Sequence, residues 1–384
     1  MPDFLSHRPT WAEINLDNLI HNFRITRGAM GAGVAIMPAV KADAYGHGAV
    51  ECARALETAG AEWFGVAMPE EGLSLRSAGI TAPILTLGGF WEGQEELIIE
   101  HRLTPAIFRL DLLERLNRAA RAAGRVVDYH LKVDTGMGRL GVPHSELGPF
   151  LEGVTSFEHA RLDGVMTHLA SADYPDKKEF TAGQISLFEA AVELVHSRGH
   201  RPTWIHGANS AGAHAHPRSR GNLVRPGGVL YGLWRDVTDR SIEALDWRPV
   251  LSLRTQIMLL KTVQAGVPVG YGGLFVTSRE SQIATLAIGY EDGLRRALSN
   301  RGKVIIREQV APIVGRVSMD LTLVDVTDVK GASIGDEVMI IGGSGMVGIT
   351  AEEVAAQAGT LSYEVTCGIS DRVPRRYVQA TINP

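Results

Sequence analysis

From residue 34 onward the chain repeats one rhythm: a short apolar run, a loop of small or polar residues, then a segment with apolar positions three or four apart. Apolar runs at 34–40, 63–68, 83–87, 104–108, 127–133, 162–169, 204–208 and 223–231 predict eight strands. The segments between them predict helices with legible ends. Pro69, Glu70 and Glu71 open one, with negative charge at the positive end of its dipole, and Gly79 closes it. Leu110, Leu113, Leu116 and Ala120 stripe another that ends by Gly124, and 181–198 carries Ile185, Phe188, Val192 and Val195 on one side before stopping at Gly199. Strands apolar on both faces and alternating with helices call for a parallel sheet covered by helices. Eight such units close into a (β/α)8 TIM barrel, whose site lies at the carboxyl ends of its strands. Ahead of the barrel, WAEINLDNLIHNFRIT reads as a short strand and a helix that Asp17 is placed to cap, with Leu19, Ile20 and Phe23 on one face.

After about residue 240 the texture changes. Alternating strands follow one another without long helices: LSLRTQIMLLKTV, QIATLAIGY, GKVIIREQVAPIVGRV, LTLVDV and DEVMIIGG. One helix begins at Thr350, where Thr350 and Glu353 match a capping box. The expected fold class is therefore α/β, a TIM barrel over 1–240 with its N-terminal strand and helix, followed by a mainly β C-terminal domain over 241–384.

Composition narrows the functional classes. A chain of 384 residues is long enough for two domains with separate cores, and 21% charged with 45% hydrophobic residues is a globular balance. A net charge of -5 supplies no broad cationic field, which argues against nucleic acid as a partner. Cys52 and Cys367 are too few and too far apart for a disulfide framework or a zinc site. No stretch approaches ~18 apolar residues and the N-terminus lacks a leader pattern, so a cytoplasmic protein outside the membrane is expected.

Candidate chemistry collects at the strand ends. AVKADAYGHG places Lys41 at the end of the first strand with Tyr45 four residues on. A lysine there is ordinarily a solvated charge, but at a barrel rim it suits a Schiff base to pyridoxal 5'-phosphate. After the fifth strand, Gly136, Gly138 and Gly141 frame Arg139, placed to bind a carboxylate or phenolate. The sixth strand ends at His168, of a type more often a satisfied core group than a catalyst. The seventh ends in Asn209 and Ser210, and the eighth carries Gly227 and Gly228. Loops after the last two strands of such barrels commonly cradle phosphate, with glycines admitting an anion close to the backbone. Arg225 should point into the barrel, where a permanent cation needs an acceptor. Against a pyridine nitrogen it could only donate, which keeps the ring unprotonated and limits side reactions such as transamination.

AVKADAYGHG, VDTGMGRLG, ANSAG, RPGGVLYG, GYGG, IGYEDG, GRVSMD and YEVTCGISDRVPR, in this order, resemble the alanine racemase family over essentially the whole chain. The resemblance implies interconversion of L- and D-alanine on pyridoxal phosphate, with D-alanine serving peptidoglycan or the reaction serving alanine catabolism. It matches Lys41 and Tyr271 to two opposed catalytic bases, and Tyr45, Ser210, Gly227, Gly228 and Tyr363 to phosphate contacts. Arg139 matches the residue near the cofactor phenolate and substrate carboxylate, and the Met319 backbone N–H a carboxylate contact. His168 matches a residue between that tyrosine and Arg225, whose neighbour is His206, in a cationic network that would help Tyr271 give up its proton. Lys132 matches a lysine that is carbamylated in some members, and Tyr290, Arg296 and Arg316 match a narrow access channel. The implied assembly is a head-to-tail homodimer in which Tyr271 and Met319 come from the second copy. Ser318 stands where several members carry cysteine, and 170–173 and 233–236 at the mouth have no match, which leaves serine, lysine and arginine open as substrates. Two rivals share the barrel: a decarboxylase, which would oppose the ring nitrogen with a carboxylate, and a vitamin B6 carrier, which would lack the β domain. Arg225 and Tyr271 speak against the first, and the long β domain with Tyr271 and Met319 against the second.

Overall fold

A computed structural model of the protein describes residues 8–236, 245–344 and 347–379. Contacts divide the chain into two units, Leu19–Ala44 with Gly48–Trp247, and Met1–Asn18 with Tyr45–His47 and Arg248–Pro384. The boundary expected at 240 lies outside the described residues.

In the first of these units all eight apolar runs contribute a parallel strand: Ala35–Ile36, Phe64–Val66, Ile84–Thr86, Leu103–Ile107, Val127–Asp134, Ala160–Met166, Trp204–His206 and Leu223–Val224. The six from Phe64–Val66 to Trp204–His206 pair in sequence order, and the last pairs with the first, Leu223 opposite Ala35. Backbone bonds close both remaining seams: Val40 N–H reaches the Gly65 carbonyl at 2.9 Å, and Arg225 N–H reaches that of Ala208 at 3.0 Å. The expected barrel is complete. Its first and last strands are shorter than their apolar runs because Pro38 and Pro226 offer no N–H to a ladder. Beyond Pro226 the predicted eighth strand becomes a single tight turn, Gly228–Tyr231.

The helices form where periodicity placed them, with small corrections. Lys178–Ser197 starts three residues before the predicted 181, and Ala191, not Val192, takes the core position between Phe188 and Val195. The first helix is Leu16–Met30; its cap is Asn15, whose Oδ1 accepts the Asn18 N–H at 2.9 Å, while Asp17 lies inside the first turn. Met37, Trp63, Leu85, Ala106, Met166 and Leu223 pack as one cluster drawn from around the ring. Each large side chain so buried contributes about 1.5–3 kcal/mol, so the floor beneath the strand ends is a rigid apolar plug.

The second unit is mainly β, as its alternation predicted. Leu251–Val263 is its central strand, pairing antiparallel with Trp11–Asn15, Ser281–Leu286 and Glu337–Ser344. Trp11–Asn15 also pairs in parallel with Arg375–Val378, so the N-terminal strand belongs to this sheet. The capping box forms, with Glu353 N–H on Thr350 Oγ1 at 3.1 Å and Thr350 N–H on Glu353 Oε2 at 3.0 Å. Among the described residues no helix is long and apolar enough to cross a membrane.

Candidate active site

Lys41 leaves the first strand into an uncommon piece of backbone. Ala42, Asp43, Ala44 and Tyr45 have φ of 51°, 53°, 53° and 57°, so Lys41–Gly46 is a left-handed helical turn and not the open loop that its small residues suggest. Each such non-glycine residue costs about 1–2 kcal/mol, and four in a row roughly 4–8 kcal/mol. Strain of that size persists only where surroundings over-determine it. Ala44 N–H donates to the Val40 carbonyl at 2.9 Å, and Gly48 N–H to that of Asp43 at 2.9 Å. Ala49 N–H donates to Asp43 Oδ1 at 2.7 Å, and Ala42 N–H to Glu71 Oε1 at 2.7 Å.

Asp134, at the end of the fifth strand, shapes the turn that presents Arg139. Its Oδ1 accepts the N–H groups of Gly136 and Met137, both at 2.9 Å, and its Oδ2 that of Gly138 at 3.0 Å. Gly141 closes the loop at φ 132°, where an added Cβ would stand 2.5 Å from the Asp134 nitrogen. Arg139 itself is exposed. An aspartate capping a glycine turn is a familiar signal, and it identifies Asp134 as a site organiser that reading the glycines alone passes over.

Arg225 is buried, and its two terminal nitrogens are satisfied from within the barrel. One terminal nitrogen donates to His206 Nδ1 at 2.7 Å and to the His206 carbonyl at 2.9 Å; the other donates to the carbonyls of Thr167 at 2.7 Å and Gly207 at 3.2 Å. Because guanidinium only donates, His206 Nδ1 must accept, which puts its proton on Nε2, 2.8 Å from His130 Nδ1. Both rings are therefore neutral. Burial and then Arg225 push His206 well below the ordinary histidine value, and the same two causes bring His130 down to about 3. Burial also lowers Arg225, to about 10, still a cation at neutral pH. His168 is likewise pushed well down, by burial and then by Arg225, Lys132, Arg139 and Lys41. The positive charge of this network sits on Arg225, among neutral imidazoles.

Burial, followed by Arg225 and Arg139, brings the Lys132 ammonium down to about 7, with Asp134 opposing and Lys41 adding to the fall. Lys132 therefore lies within the fields of Lys41, Arg139 and Arg225. The folded protein binds the Lys132 proton less well than the unfolded chain, whose lysine titrates near 10.5. Between about 7 and 10.5 the unfolded state holds the extra proton, so this residue's contribution to stability rises with pH through that window and is fully unfavourable below it. Lys132→Met is expected to raise the melting temperature of the cofactor-free protein at pH 6, with the gain fading as the pH approaches 10. A gain that stays constant with pH would refute the assignment.

At the seventh strand's end, Asn209 caps the short helix Ser210–Ala215 by accepting the Gly212 N–H at 2.9 Å. Ser210 Oγ accepts the Gly227 N–H at 2.8 Å, which joins the loops after the seventh and eighth strands. The hydroxyl proton remains available for an anion.

The other expected residues belong to the β unit. Tyr271 opens a tight turn, Tyr271–Gly273, and is 71% exposed; Met319 is 51% exposed. A Cβ added at Gly272, next to Tyr271, would stand 3.7 Å from the Arg316 guanidinium carbon. Tyr290 and Met319 share a backbone seam, Tyr290 N–H to the Ser318 carbonyl at 2.9 Å and Glu291 N–H to that of Met319 at 3.1 Å. Arg296 begins the turn Arg296–Leu298. Tyr363 meets Tyr45 edge to face at 5.1 Å between ring centres, and burial raises the Tyr45 phenol above its ordinary value.

A closed parallel barrel with a lysine and arginines at its strand ends, followed in sequence by a mainly β unit, places the protein in the class of two-part α/β barrel proteins. Comparison with known proteins gives its family. Residues 14–234 match the alanine racemase N-terminal domain and residues 250–377 the alanine racemase C-terminal domain. An alanine racemase of Halothermothrix orenii is 43% identical over 96% of this chain and 97% of its own. The solved alanine racemase of Clostridium difficile superposes with a TM-score of 0.92 at 36% identity, covering 98% of this chain and 97% of that one. That of Bartonella henselae, solved with covalently bound pyridoxal phosphate, superposes at 0.86 with 30% identity, covering 96% and 99%. The chain belongs to the alanine racemase family, whose members are isomerases.

Proposed function

We propose that this protein interconverts L-alanine and D-alanine with pyridoxal 5'-phosphate, as a cytoplasmic head-to-tail homodimer, supplying D-alanine for peptidoglycan or serving alanine catabolism. The cationic cluster carries this reading. Lys132 and His168 both lie in the fields of Lys41, Arg139 and Arg225, with Asp134 opposing at Lys132, and cations gathered around a barrel mouth favour anionic ligands. A phosphorylated cofactor and an amino-acid carboxylate are such anions, and the Bartonella henselae relative was solved with pyridoxal phosphate attached.

The donor set fits that cofactor: an amine at Lys41, a hydroxyl at Ser210 already tied to the Gly227 amide, the adjacent Gly228 backbone, and the Nε–H of Arg225, whose two terminal nitrogens are engaged by His206, Thr167 and Gly207. Tyr45 and Tyr363 would add phenol donors to the phosphate, with Asn209 and His168 shaping the walls. When bound, the cofactor supplies the electron withdrawal that makes the substrate Cα proton acidic. Arg139 and the Met319 N–H would hold the substrate carboxylate, while Lys41 and Tyr271 would hold and move a proton on opposite faces of Cα. Inversion needs two bases, one per face. In this division of labour the barrel residues within 1–240, together with Tyr363, bind the cofactor, and 241–384 present Tyr271 and Met319 to the second copy, a role that the exposure of both side chains favours. Tyr290, Arg296 and Arg316 would narrow the access channel toward small amino acids.

Purified protein supplied with pyridoxal phosphate and L-alanine in deuterated water is expected to lose optical rotation completely while deuterium enters Cα. Persistent rotation would sink the proposal. Serine, lysine and arginine in parallel measure substrate breadth.

A further inference from the structure

Glu71 stands in the first turn of Pro69–Ser77, directly after the second barrel strand. Its carboxylate serves two strand ends at once. Oε2 accepts the Ala67 N–H at 2.6 Å, where the second strand runs out, and Oε1 accepts the Ala42 N–H at 2.7 Å, the first amide after Lys41. Glu70, its neighbour on the same turn, is directed elsewhere and accepts from Gln94 Nε2 at 2.6 Å.

The Ala42 amide is a special one. Left-handed backbone begins at Ala42, with φ 51°, so the Lys41–Ala42 peptide is the link at which the chain changes hand. An amide at the start of such a turn has no earlier residue of the turn to bond to, as at the start of any helix. Released, this peptide could rotate and let the strained residues relax, and the root of the Lys41 side chain would move with it. A carboxylate is suited to prevent this, because only an ionised side chain offers both oxygens as acceptors, one to each strand end.

We propose that Glu71 is a positioning residue: by clamping the Ala42 amide to the end of the second strand it holds the left-handed turn, and with it the Lys41 amine, in the attitude needed to capture the cofactor and move a proton. The inference rests on the role proposed for Lys41. Glu71→Gln keeps the size but turns an NH2 group toward one of the two amides. Hydrogen exchange of the 41–46 amides is expected to accelerate about tenfold or more, confined to that segment. Racemisation kcat is expected to fall by about tenfold, with KM for alanine changing by less than about twofold. Capture of pyridoxal phosphate, followed by absorbance, should slow. Glu70→Gln should match the unmodified protein in all three. Adding Ala42→Gly to Glu71→Gln, so that φ 51° carries no Cβ penalty, should recover part of the loss and supplies a folded variant should E71Q melt.

Unchanged exchange at 41–46 with unchanged kcat in E71Q would overturn the inference. So would exchange that rises equally around the whole barrel, because Glu71 would then be only a stabilising contact. Absence of racemisation in the unmodified protein would instead refute the functional proposal, and the exchange measurement would still decide whether Glu71 holds the turn.

Discussion

Replacing Lys41 with alanine is expected to abolish covalent capture of pyridoxal phosphate and to lower racemisation by about three orders of magnitude or more, since it removes both the nucleophile and one base. The informative rival is Lys132. Its amine is brought down to about 7, so a large share is neutral and nucleophilic at physiological pH, while an ordinary lysine is almost wholly protonated. Geometry separates the two. Lys132 lies inside the strand Val127–Asp134 and is buried, whereas Lys41 follows the end of its strand and is partly open to solvent. Borohydride reduction of the cofactor-loaded protein, digestion and mass spectrometry should place the label on the peptide containing Lys41. Labelling at Lys132, or colour retained in Lys41→Ala, would overturn the assignment.

Tyr271→Phe is expected to keep the bound cofactor's colour and to cut turnover by about two to four orders of magnitude, the usual worth of a positioned acid or base. Since the side chain is 71% exposed, loss of one oxygen should change stability by less than about 0.5 kcal/mol, so the activity loss would report chemistry and not unfolding. Turnover equal to that of the unmodified protein in both directions would remove Tyr271 from the mechanism. The same variant tests the shared site. If Tyr271 serves the other copy's Lys41, mixing inactive Lys41→Ala with inactive Tyr271→Phe creates dimers with one doubly damaged site and one intact site. Random exchange then restores about a quarter of full activity. No recovery after demonstrated subunit exchange would place both residues in one chain's own site.

Much of the architecture was legible along the chain because apolar periodicity reports burial, and burial repeats locally. Each of the eight runs contributes a barrel strand, and the alternation from 251 to 263 matches the strand Leu251–Val263. Glycine and proline were equally readable as punctuation, although Pro38 and Pro226 shortened the first and last strands more than apolarity alone implied. Lys41, Arg139, His168, Ser210 and Arg225 could be singled out because strand ends locate a barrel's rim.

Pairing over long separations and the destination of individual amides were decided only in three dimensions. WAEIN carries a strand pattern but no mark of its partners, and its place between Leu251–Val263 and Arg375–Val378 follows from chain more than 200 residues away. His206 and His130 look like two unrelated core histidines until the Arg225 guanidinium sets one tautomer and, through it, the next. The left-handed turn after Lys41 is the sharpest case. Alanine and tyrosine disfavour that backbone and aspartate only tolerates it, so no local preference encodes four such residues in a row; acceptors at Val40 and Glu71 meet amides of the turn, and Asp43 ties it to the amides of Gly48 and Ala49 just beyond. Local sequence determined which segments would be strands and which residues would reach the rim, since both depend on neighbours within a few positions. The protonation of the site and the attitude of its lysine depend on charges and hydrogen-bond partners that only the closed barrel brings together.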